Sequence, residues 1–223
     1  MKEISIIIPI YNVEKYVAEC LNSVISQTYD HSKIECIIVD DCTPDSSMEI
    51  VNEIIREYVG DMAFITCRHE HNQGLSVARN TGIDIATGKY IYIIDSDDYL
   101  YDNAIETLMK VHTEYPNAEI IIGNAFDELH NYNLFKLDRM ECFVNMNYLF
   151  LGTTWVITAW NSLIKKELID RTGIRFMPGI YFEDNLWNYN LLPNASKAII
   201  LSEVTYFYRK NEGGIMLGAR KEK

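Results

Sequence analysis

The sequence predicts an α/β fold with a mostly parallel central sheet and helices on both of its faces. Segments of strand length alternate with segments of helical periodicity through residues 4–123, and such alternation builds parallel sheets. The strand segments are continuous apolar runs, which is typical of strands buried on both faces. No linker, internal repeat or low-complexity stretch interrupts the 223 residues. We therefore predict one domain over residues 1–223.

The elements of the first half follow in order from these patterns. The predicted strands are ISIIIPI, IECIIVDD, MAFITCR, YIYIID and AEIIIG. Apolar residues at helical spacing predict the intervening helices at about residues 17–25, 51–58, 75–86 and 105–112. Asp45 or Ser46 is the expected cap of the second helix, and Gly88 is the expected stop of the third.

The second half is less regular. Residues 124–152 mix aromatic, asparagine and charged residues without a strong period, and we expect a flap or a short hairpin there. IKKELIDRTG predicts a short helix stopped by Gly173, and NLWNYNLL predicts another that ends at Pro193. KAIILS and VTYFYR predict a closing pair of strands.

Composition and charge narrow the functional classes. A formal net charge of −12 argues against nucleic acid and against broad binding to anionic lipid, because both need clustered cations. ISIIIPI is too short for a signal peptide, and no segment has the roughly 18 apolar residues of a membrane span. The five cysteines, none in a CxxC pair, indicate reduced thiols in a cytoplasmic protein.

Polar clusters follow four of the predicted strands. Because ligands of such sheets bind beyond the carboxyl ends of the strands, these clusters are expected to line one crevice. They are Tyr11-Asn12, Asp40-Asp41, residues 69–73 and residues 95–98. Their functional groups suit a phosphorylated ligand and its cation.

The densest cluster is Asp95-Ser96-Asp97-Asp98, directly after an apolar strand. Carboxylates this close repel, so at least one is pushed toward protonation unless a cation lies among them. A hard divalent cation prefers carboxylate oxygens and keeps waters and substrate phosphates in its shell. The structural alternative is a solvated acidic turn, with Asp98 capping the next helix near Asn103.

Five strings in order resemble family 2 glycosyltransferases of the GT-A fold: IIIPIYN, IIVDDCTPDSS, NQGLSVARNTGI, GKYIYIIDSDDYL and GIYFEDNLW. The resemblance extends from Ser5 to about Met216. It implies transfer of a sugar, with inversion, from a nucleotide-sugar donor, expected to be a UDP-sugar, with Mn²⁺ or Mg²⁺ as cofactor. The acceptor is expected to be a glycan or a lipid-linked acceptor in surface polysaccharide synthesis. Residues 1–98 would form the nucleotide-sugar-binding half and residues 99–223 the acceptor-binding half.

The resemblance also implies roles for individual residues. Asp184 is the expected base that takes the proton of the acceptor hydroxyl, and Asp97 is the expected metal ligand. The implied donor-binding residues are Pro9, Tyr11, Glu14, Asp41, Arg79, Asp95 and Ser96. The implied acceptor contacts are Trp160, Asn161 and Glu183. Arg209 or Lys210 is expected to clamp phosphate, with the glycine pair Gly213-Gly214 allowing a loop to close.

Most of these assignments have a structural alternative. Tyr11-Asn12 suits an ordinary turn, and Asp40-Asp41 suits helix capping. Arg79 suits a surface helix charge, and Asp184 suits the N-cap of the helix NLWNYNLL. Core packing is favoured over sugar stacking for at least two of the three tryptophans, which are Trp155, Trp160 and Trp187. The string HEH at 69–71 lacks the spacing of the HExxH motif and is interpreted as a loop.

The sequence departs from the family pattern in three places. The turn after Asp41 reads Cys42-Thr43-Pro44-Asp45, where the family usually has Gly-Ser-Thr-Asp, and this leaves the base preference open. The paired Arg and Trp motif of processive members is absent, which favours single additions. Many relatives continue beyond the position of Lys223, so an acceptor-binding or membrane-associating extension is an open expectation, as is peripheral membrane contact.

Two other functions compete with this interpretation. A nucleotidyltransferase would carry a Gly-rich basic loop after the first strand, where this chain reads IYNVEKY. A catalytically silent module that binds nucleotide sugars stays open on the sequence alone. The oligomeric state also stays open.

Overall fold

The computed structural model describes residues 2–136, 141–143 and 158–211, with the backbone alone at 141–143. The strands of this part are β1 (Ile4–Ile10), β2 (Ile34–Asp40), β3 (Ala63–Arg68), β4 (Tyr90–Ile93), β5 (Tyr99–Leu100), β6 (Ile120–Asp127), β7 (Tyr132–Asn133), β8 (Glu141–Phe143), β9 (Ser162–Lys165) and β10 (Ala198–Tyr208). The helices are α1 (Val17–Ile25), α2 (Ser47–Glu57), α3 (Leu75–Ile85), α4 (Ala104–Glu114), α5 (Lys166–Thr172) and α6 (Glu183–Leu191). Short 3-10 turns cover His31–Lys33 and Leu192–Asn194.

These strands form one sheet in the order β3-β2-β1-β4-β9-β6-β10-β5, with β7 on β6 and β8 on β10. β1 pairs in parallel with β2 and with β4, and its Ile4 lies opposite Ile34 and Tyr90. β9 is antiparallel to both β4 and β6, so β6 and its parallel partner β10 run in the direction of β1. The mostly parallel sheet predicted from the apolar strands is confirmed.

The core lies on both faces of this sheet. This is shown by β1, whose side chains alternate between the two faces and which is buried along its whole length. Ile4, Ile6 and Ile8 belong to one buried cluster, which contains residues of α1, α2 and α4. Ile7 belongs to a second buried cluster, which contains residues of α3, α5 and α6. Helices therefore cover both faces, as the continuous apolar strands predict.

The predicted closing pair of strands is wrong. KAIILS and VTYFYR belong to one strand, β10, which pairs in parallel with β6 through register shifts between Ile200 and Val204 and between Val204 and Tyr206. A register shift leaves residues of the strand unpaired, and at the first shift these include Ser202 and Glu203, which resemble a turn in the sequence. The short strands β5 and β9 were not predicted, because two to four residues carry little periodicity.

The ends of three helices refine the predictions about caps. Ser46 holds the N-cap position of α2 without a capping bond of its own, and Asp45 Oδ1 instead accepts from the Ser47 amide at 3.1 Å. Gly173 ends α5 in the left-handed conformation, with φ 64°, as predicted. Gly88 is not the stop of α3, which ends at Ile85 with Ala86 as its C-cap. A Cβ at Gly88 would lie 2.7 Å from the Ser5 amide nitrogen, so glycine is needed there for close approach to β1.

Two further expectations meet the structure only in part. β6 and β7 form an antiparallel hairpin, which confirms the short hairpin expected after residue 124. Residues 137–140 and 144–157 lie outside the described residues, and the side chain of Cys142 does as well.

No helix in the described part of the chain is long and apolar enough to cross a bilayer. The division into donor and acceptor halves stays a prediction.

Candidate active site

The loops after β1 and β2 are joined by the carboxylate of Asp45. Its Oδ1 accepts from the hydroxyls of Thr43 and Ser47 at 2.6 Å each, and its Oδ2 accepts from the Glu14 amide at 2.9 Å. Burial alone would raise the pKa of Asp45, but these hydrogen bonds outweigh it and lower the pKa. Glu14 in turn accepts from the Ser46 amide at 3.2 Å. Glu14 is thus an exposed residue that tethers the start of α2.

The unusual turn keeps a backbone conformation that favours glycine. Cys42, which stands where the family has Gly, has φ 57°. Asn12 after β1 has φ 55°, and its amide donates to Thr43 Oγ1 at 2.8 Å. A side chain at positive φ costs free energy, so both strand-end loops are held in strained conformations by their hydrogen bonds.

Asp41 lies buried at the end of β2 and organises the loop after β3. Its Oδ1 is 2.6 Å from His69 Nδ1 and accepts from the Gln73 amide at 2.8 Å. Its Oδ2 accepts from the Gly74 amide at 2.8 Å. HEH is therefore a loop, as expected, and His69 is a partner of Asp41. A carboxylate has about four acceptor positions, which leaves one on Oδ2, and the predicted nucleobase contact of Asp41 stays a prediction.

Two predicted donor residues lie at the carboxyl end of β1. Tyr11 is 46% exposed, so its ring is free to stack on a planar ligand. Pro9 is buried within β1, where it lies next to the start of this loop. Their contact with a donor stays a prediction.

The acidic loop after β4 holds three carboxylates in different environments. Asp98 is 1% exposed, and its oxygens accept from the Tyr206 hydroxyl at 2.7 Å and the Arg209 amide at 2.8 Å. Burial, with the charges of Asp97 and Asp95, raises the pKa of Asp98 well above its usual range. Asp98 therefore ties the loop to the end of β10, and the alternative that it caps the helix near Asn103 is wrong.

Asp97 and Asp95 face the crevice more openly. Asp97 Oδ2 accepts from Asn211 Nδ2 at 2.9 Å, and burial and the charge of Asp95 raise the pKa of Asp97. The Asp95 side chain is 23% exposed. Ser96 between them is buried. This loop carries more negative charge than its described partners neutralise, as the sequence predicts.

These residues fit a divalent cation as part of its shell. Carboxylate oxygens are the ligands that Mn²⁺ and Mg²⁺ prefer. Within the described ranges, no three His, Cys, Asp or Glu side chains are grouped closely enough to hold a metal ion. A cation at Asp97 would therefore take its remaining ligands from waters and from a diphosphate.

Arg79 of α3 connects this loop to the second half of the chain. Its Nη2 donates to Asp95 Oδ1 and its Nη1 donates to Glu183 Oε1, both at 2.7 Å. Burial opposes its charge, but Asp95 and Glu183 outweigh that effect and raise the pKa of Arg79. Arg79 is 2% exposed, so the alternative of a surface helix charge is wrong. Both Nη groups of Arg79 donate to carboxylates in this structure. Its contact with a nucleotide stays a prediction.

Glu183 and Asp184 form the first turn of α6. The N-cap is Phe182, with φ 59°, so the alternative that Asp184 is the N-cap is wrong. Burial, followed by the charge of Glu183, raises the pKa of Asp184 to about 6, while Arg79 opposes the rise. Asp184 accepts from the Asn185 amide at 2.9 Å. A carboxylate with this pKa is suited to accept a proton near neutral pH.

The two predicted acceptor contacts Trp160 and Asn161 lie in the interior. Trp160 is 6% exposed and stacks on Tyr206, with ring centroids 4.3 Å apart. Asn161 is 1% exposed and accepts from the hydroxyls of Tyr92 and Thr205 at 2.9 and 2.8 Å. The packing alternative describes Trp160, and Trp187 is buried as well. Trp155 lies outside the described residues, and acceptor contact stays a prediction.

The end of β10 and the segment that follows it contribute groups that sequence reasoning missed. Tyr206 contacts Asp98, and Asn211 contacts Asp97; no spacing signal marks either residue. Arg209 Nε donates to the Asp97 carbonyl at 2.8 Å and its guanidinium pairs with Glu19. The phosphate clamp by Arg209 or Lys210 stays a prediction, and Gly213-Gly214 lies outside the described residues.

Comparison with known proteins identifies the family and the fold of this chain. The sequence model of Glycosyl transferase family 2 matches residues 5–173. The poly(ribitol-phosphate) beta-glucosyltransferase of Bacillus spizizenii is 40% identical over 95% of this chain and 33% of its own length. S. aureus TarS 1-349 in complex with UDP-GlcNAc superposes with a TM-score of 0.82 and 24% identity, over 96% of this chain and 60% of that one. The mannosyltransferase PcManGT of Pyrobaculum calidifontis, in complex with GDP-Man and Mn²⁺, superposes with a TM-score of 0.73 and 19% identity, over 95% and 58%. The chain thus spans one third of the length of the first and less than two thirds of the other two.

Proposed function

This chain belongs to glycosyl transferase family 2 and has the predicted GT-A fold, and on that basis we propose that it is a metal-dependent, inverting, non-processive glycosyltransferase. The donor is a nucleotide-diphosphate sugar, a UDP-sugar by the resemblance. The acceptor is a hydroxyl of a glycan or a lipid-linked acceptor in surface polysaccharide synthesis. One observation carries the proposal. Arg79 binds Asp95 and Glu183 at 2.7 Å each, so the donor-side acidic loop lies next to the start of α6, which carries Asp184.

Asp184 is the proposed base. At neutral pH a carboxyl with a pKa of about 6 is mostly ionised but still basic enough to accept a proton. In the proposed step, a carboxylate oxygen of Asp184 takes the proton of the acceptor hydroxyl. The oxygen of that hydroxyl attacks the anomeric carbon at the same time. The bond from this carbon to the diphosphate breaks, and its electron pair leaves with the nucleoside diphosphate. Attack opposite the leaving group inverts the anomeric centre.

Glu183 is proposed to support this base. Its carboxylate is bonded to Arg79, which holds it away from the role of proton acceptor. Its negative charge raises the pKa of Asp184. The pair is therefore unequal, with one carboxylate fixed by the guanidinium and the other available to the acceptor.

The donor side is proposed to use Asp97 as the metal ligand. When bound, Mn²⁺ or Mg²⁺ would neutralise the charge that develops on the departing diphosphate. The raised pKa of Asp97 supports this role, because a cation relieves crowding between carboxylates. The UDP-GlcNAc in TarS and the GDP-Man and Mn²⁺ in PcManGT support a nucleotide-sugar donor and a divalent metal.

The acceptor proposal is supported by the name of one relative. The Bacillus spizizenii protein acts on poly(ribitol-phosphate), a polymer that presents many hydroxyls. Exposed aromatic side chains lie beside the proposed base, with Tyr181 70% exposed and Phe182 55% exposed. Aromatic rings of this kind pack against the apolar faces of sugars, which supports a carbohydrate acceptor.

The test is Asp184→Asn in the 223-residue chain, compared with Asp170→Asn, an exposed aspartate paired with Lys166. Transfer and donor hydrolysis would be measured for a panel of UDP-, GDP- and dTDP-sugars with Mn²⁺ or Mg²⁺. We expect Asp184→Asn to lower transfer about 10²- to 10⁴-fold, with donor affinity within about twofold of wild type. Asp170→Asn should transfer normally.

Three results would count against the proposal. Wild-type transfer by Asp184→Asn would remove the base assignment. Donor binding without transfer or hydrolysis would favour the silent binding module. Release of pyrophosphate from a nucleoside triphosphate and a sugar phosphate would favour the nucleotidyltransferase.

A further inference from the structure

Arg79 and its neighbour Asn80 hold the same residue of the second half, Phe176. Asn80 Nδ2 donates to the Phe176 carbonyl and Asn80 Oδ1 accepts from the Phe176 amide, both at 2.8 Å. The Arg79 Cζ atom lies 5.2 Å from the centroid of the Phe176 ring. The backbone and the ring of one residue are therefore fixed by two consecutive side chains of α3.

The contact continues from Phe176 into α6. The rings of Phe176 and Trp187 stack with their centroids 4.1 Å apart and an interplanar angle of 11°. Trp187 lies four residues after Glu183, so both side chains project from one face of the helix. Helix α6 therefore meets Arg79 twice, directly through Glu183 and indirectly through the stacked ring of Phe176.

Burial makes this arrangement rigid. Arg79, Phe176 and Trp187 are each no more than 2% exposed. A guanidinium is planar and its donors lie in a fixed fork, so a flat ring below it restricts where its two Nη groups can point. Those groups reach Asp95 of the acidic loop and Glu183 beside Asp184.

We propose that Arg79, Asn80, Phe176 and Trp187 form a positioning clamp that sets the place of Asp184 relative to the acidic loop. The inference rests on the proposed function, in which Asp184 is the base. In this proposal the four side chains act through Asp95, Glu183 and α6 and not on a reacting atom, so they are positioning residues. In this arrangement Arg79 fixes the position of Asp95 relative to Glu183. The family resemblance implies instead that Arg79 contacts the nucleotide.

The main test is Phe176→Leu, which keeps an apolar side chain but removes the flat ring. We expect kcat to fall about 10- to 100-fold, because a displacement near 1 Å of a catalytic group has effects of this size. The donor KM should stay within about twofold of wild type. Trp187→Phe keeps a ring in the stack and should restore most of the wild-type kcat relative to Trp187→Leu.

A second readout does not depend on activity. Hydrogen exchange of the amides at residues 183–191 should be faster in Phe176→Leu than in wild type, because α6 loses its anchor. Asn80→Ser removes both hydrogen bonds from the Asn80 amide to the Phe176 backbone and offers a second variant if Phe176→Leu does not fold. The matched control is Arg171→Lys, since Arg171 also donates from Nη1 and Nη2 to a carboxylate, that of Glu119, at 2.6 and 3.0 Å.

The clamp is supported if folded Phe176→Leu or Asn80→Ser shows both a lower kcat and faster exchange over α6, while Arg171→Lys shows neither. A wild-type kcat or wild-type exchange over α6 in the folded variants would overturn it. If the wild-type chain itself transferred no sugar, the proposed function would fail. The exchange of α6 would then decide for or against the clamp alone.

Discussion

Carboxylates at the amino end of the sheet and those of the acidic loop and α6 at its carboxyl end have pKa shifts in opposite directions. Asp45 is the exception at the carboxyl end, because its hydrogen bonds lower its pKa. At the amino end, Glu35 accepts from the Ser5 hydroxyl, the Thr87 amide and hydroxyl, and the Gly88 amide. Hydrogen bonds outweigh the effect of burial there and lower the pKa of Glu35. Glu119 is bound by Arg171 and Ser196, and its pKa falls to about 2 against the effect of burial. At the carboxyl end, the pKa values of Asp97, Asp98 and Asp184 are raised.

The difference shows how position decides what a buried carboxylate does. Donors surround each amino-end carboxylate, so its ionised form is the stable one and it joins elements of the fold. The carboxylates of the acidic loop and α6 lie close to one another with fewer donors, so the charge of each opposes the ionisation of the next. Such a site stores unfavourable charge that a cation or a proton can relieve. Backbone strain follows the same division, since Asn12, Cys42 and Phe182, all with positive φ, lie at the carboxyl end.

The sharpest way to break this contrast is to remove a charge at the carboxyl end. We expect Asp97→Ala to lower the affinity for a nucleotide sugar in the presence of Mn²⁺ by more than about 100-fold, because a direct ligand should matter at least as much as an outer partner. Titration calorimetry with and without Mn²⁺ measures this effect. Asp61→Ala, at an exposed position, is the control. Unchanged affinity with Mn²⁺ in Asp97→Ala would contradict the metal role.

A matched change at the amino end should affect stability and leave the chemistry intact. Glu35→Ala leaves the Thr87 amide and the Ser5 and Thr87 hydroxyls without their carboxylate acceptor, while the Gly88 amide keeps Ser5 Oγ at 2.9 Å. We expect a loss of about 2 to 4 kcal/mol in the free energy of unfolding and a fall of roughly 5 to 15 °C in Tm. Urea unfolding measures the loss, and Glu53→Ala, an exposed residue, is the control. A lower kcat per folded molecule with unchanged stability would reverse the contrast.

The smallest expected effect concerns the stability cost of the proposed base. Because the folded pKa of Asp184 is raised to about 6, its contribution to stability is complete below its ordinary pKa and is lost as pH rises through about 6. Asp184→Asn should therefore be as stable as wild type near pH 3.5 and more stable near pH 7.5, by about 1 to 3 kcal/mol. Urea unfolding at both values tests this expectation. An Asn variant that is less stable than wild type near pH 7.5 would show that Asp184 is held by favourable partners.

Prediction succeeded where structure depends on neighbouring residues and failed where it depends on distant ones. The first-half strands and helices follow from periodicity and were located to within a few residues. β10 was predicted as two strands because the residues at its register shifts resemble a turn in the sequence. β9 was missed because its place between β4 and β6 is a long-range pairing that four residues do not reveal.

The candidate site shows the same division. The sequence places carboxylates after apolar strands. The structure brings two of them together, since Asp95 of the acidic loop and Glu183 both bind Arg79. The partners themselves were not predictable, since Arg79 is 16 residues from Asp95 and 104 from Glu183. Trp160 and Asn161 were expected near an acceptor, and their burial became visible only in the packed core.

By itself, the sequence determined the α/β class, the strands of the first half and the family, because short-range periodicity and ordered motifs carry that information. The tertiary structure alone decided which carboxylates are satisfied and which are crowded. A hydrogen bond or a raised pKa depends on which distant groups pack within a few ångströms and on how much water they exclude. For that reason the pKa values of Glu35 and Asp184, both carboxylates beside buried elements, are shifted in opposite directions that no local pattern distinguishes.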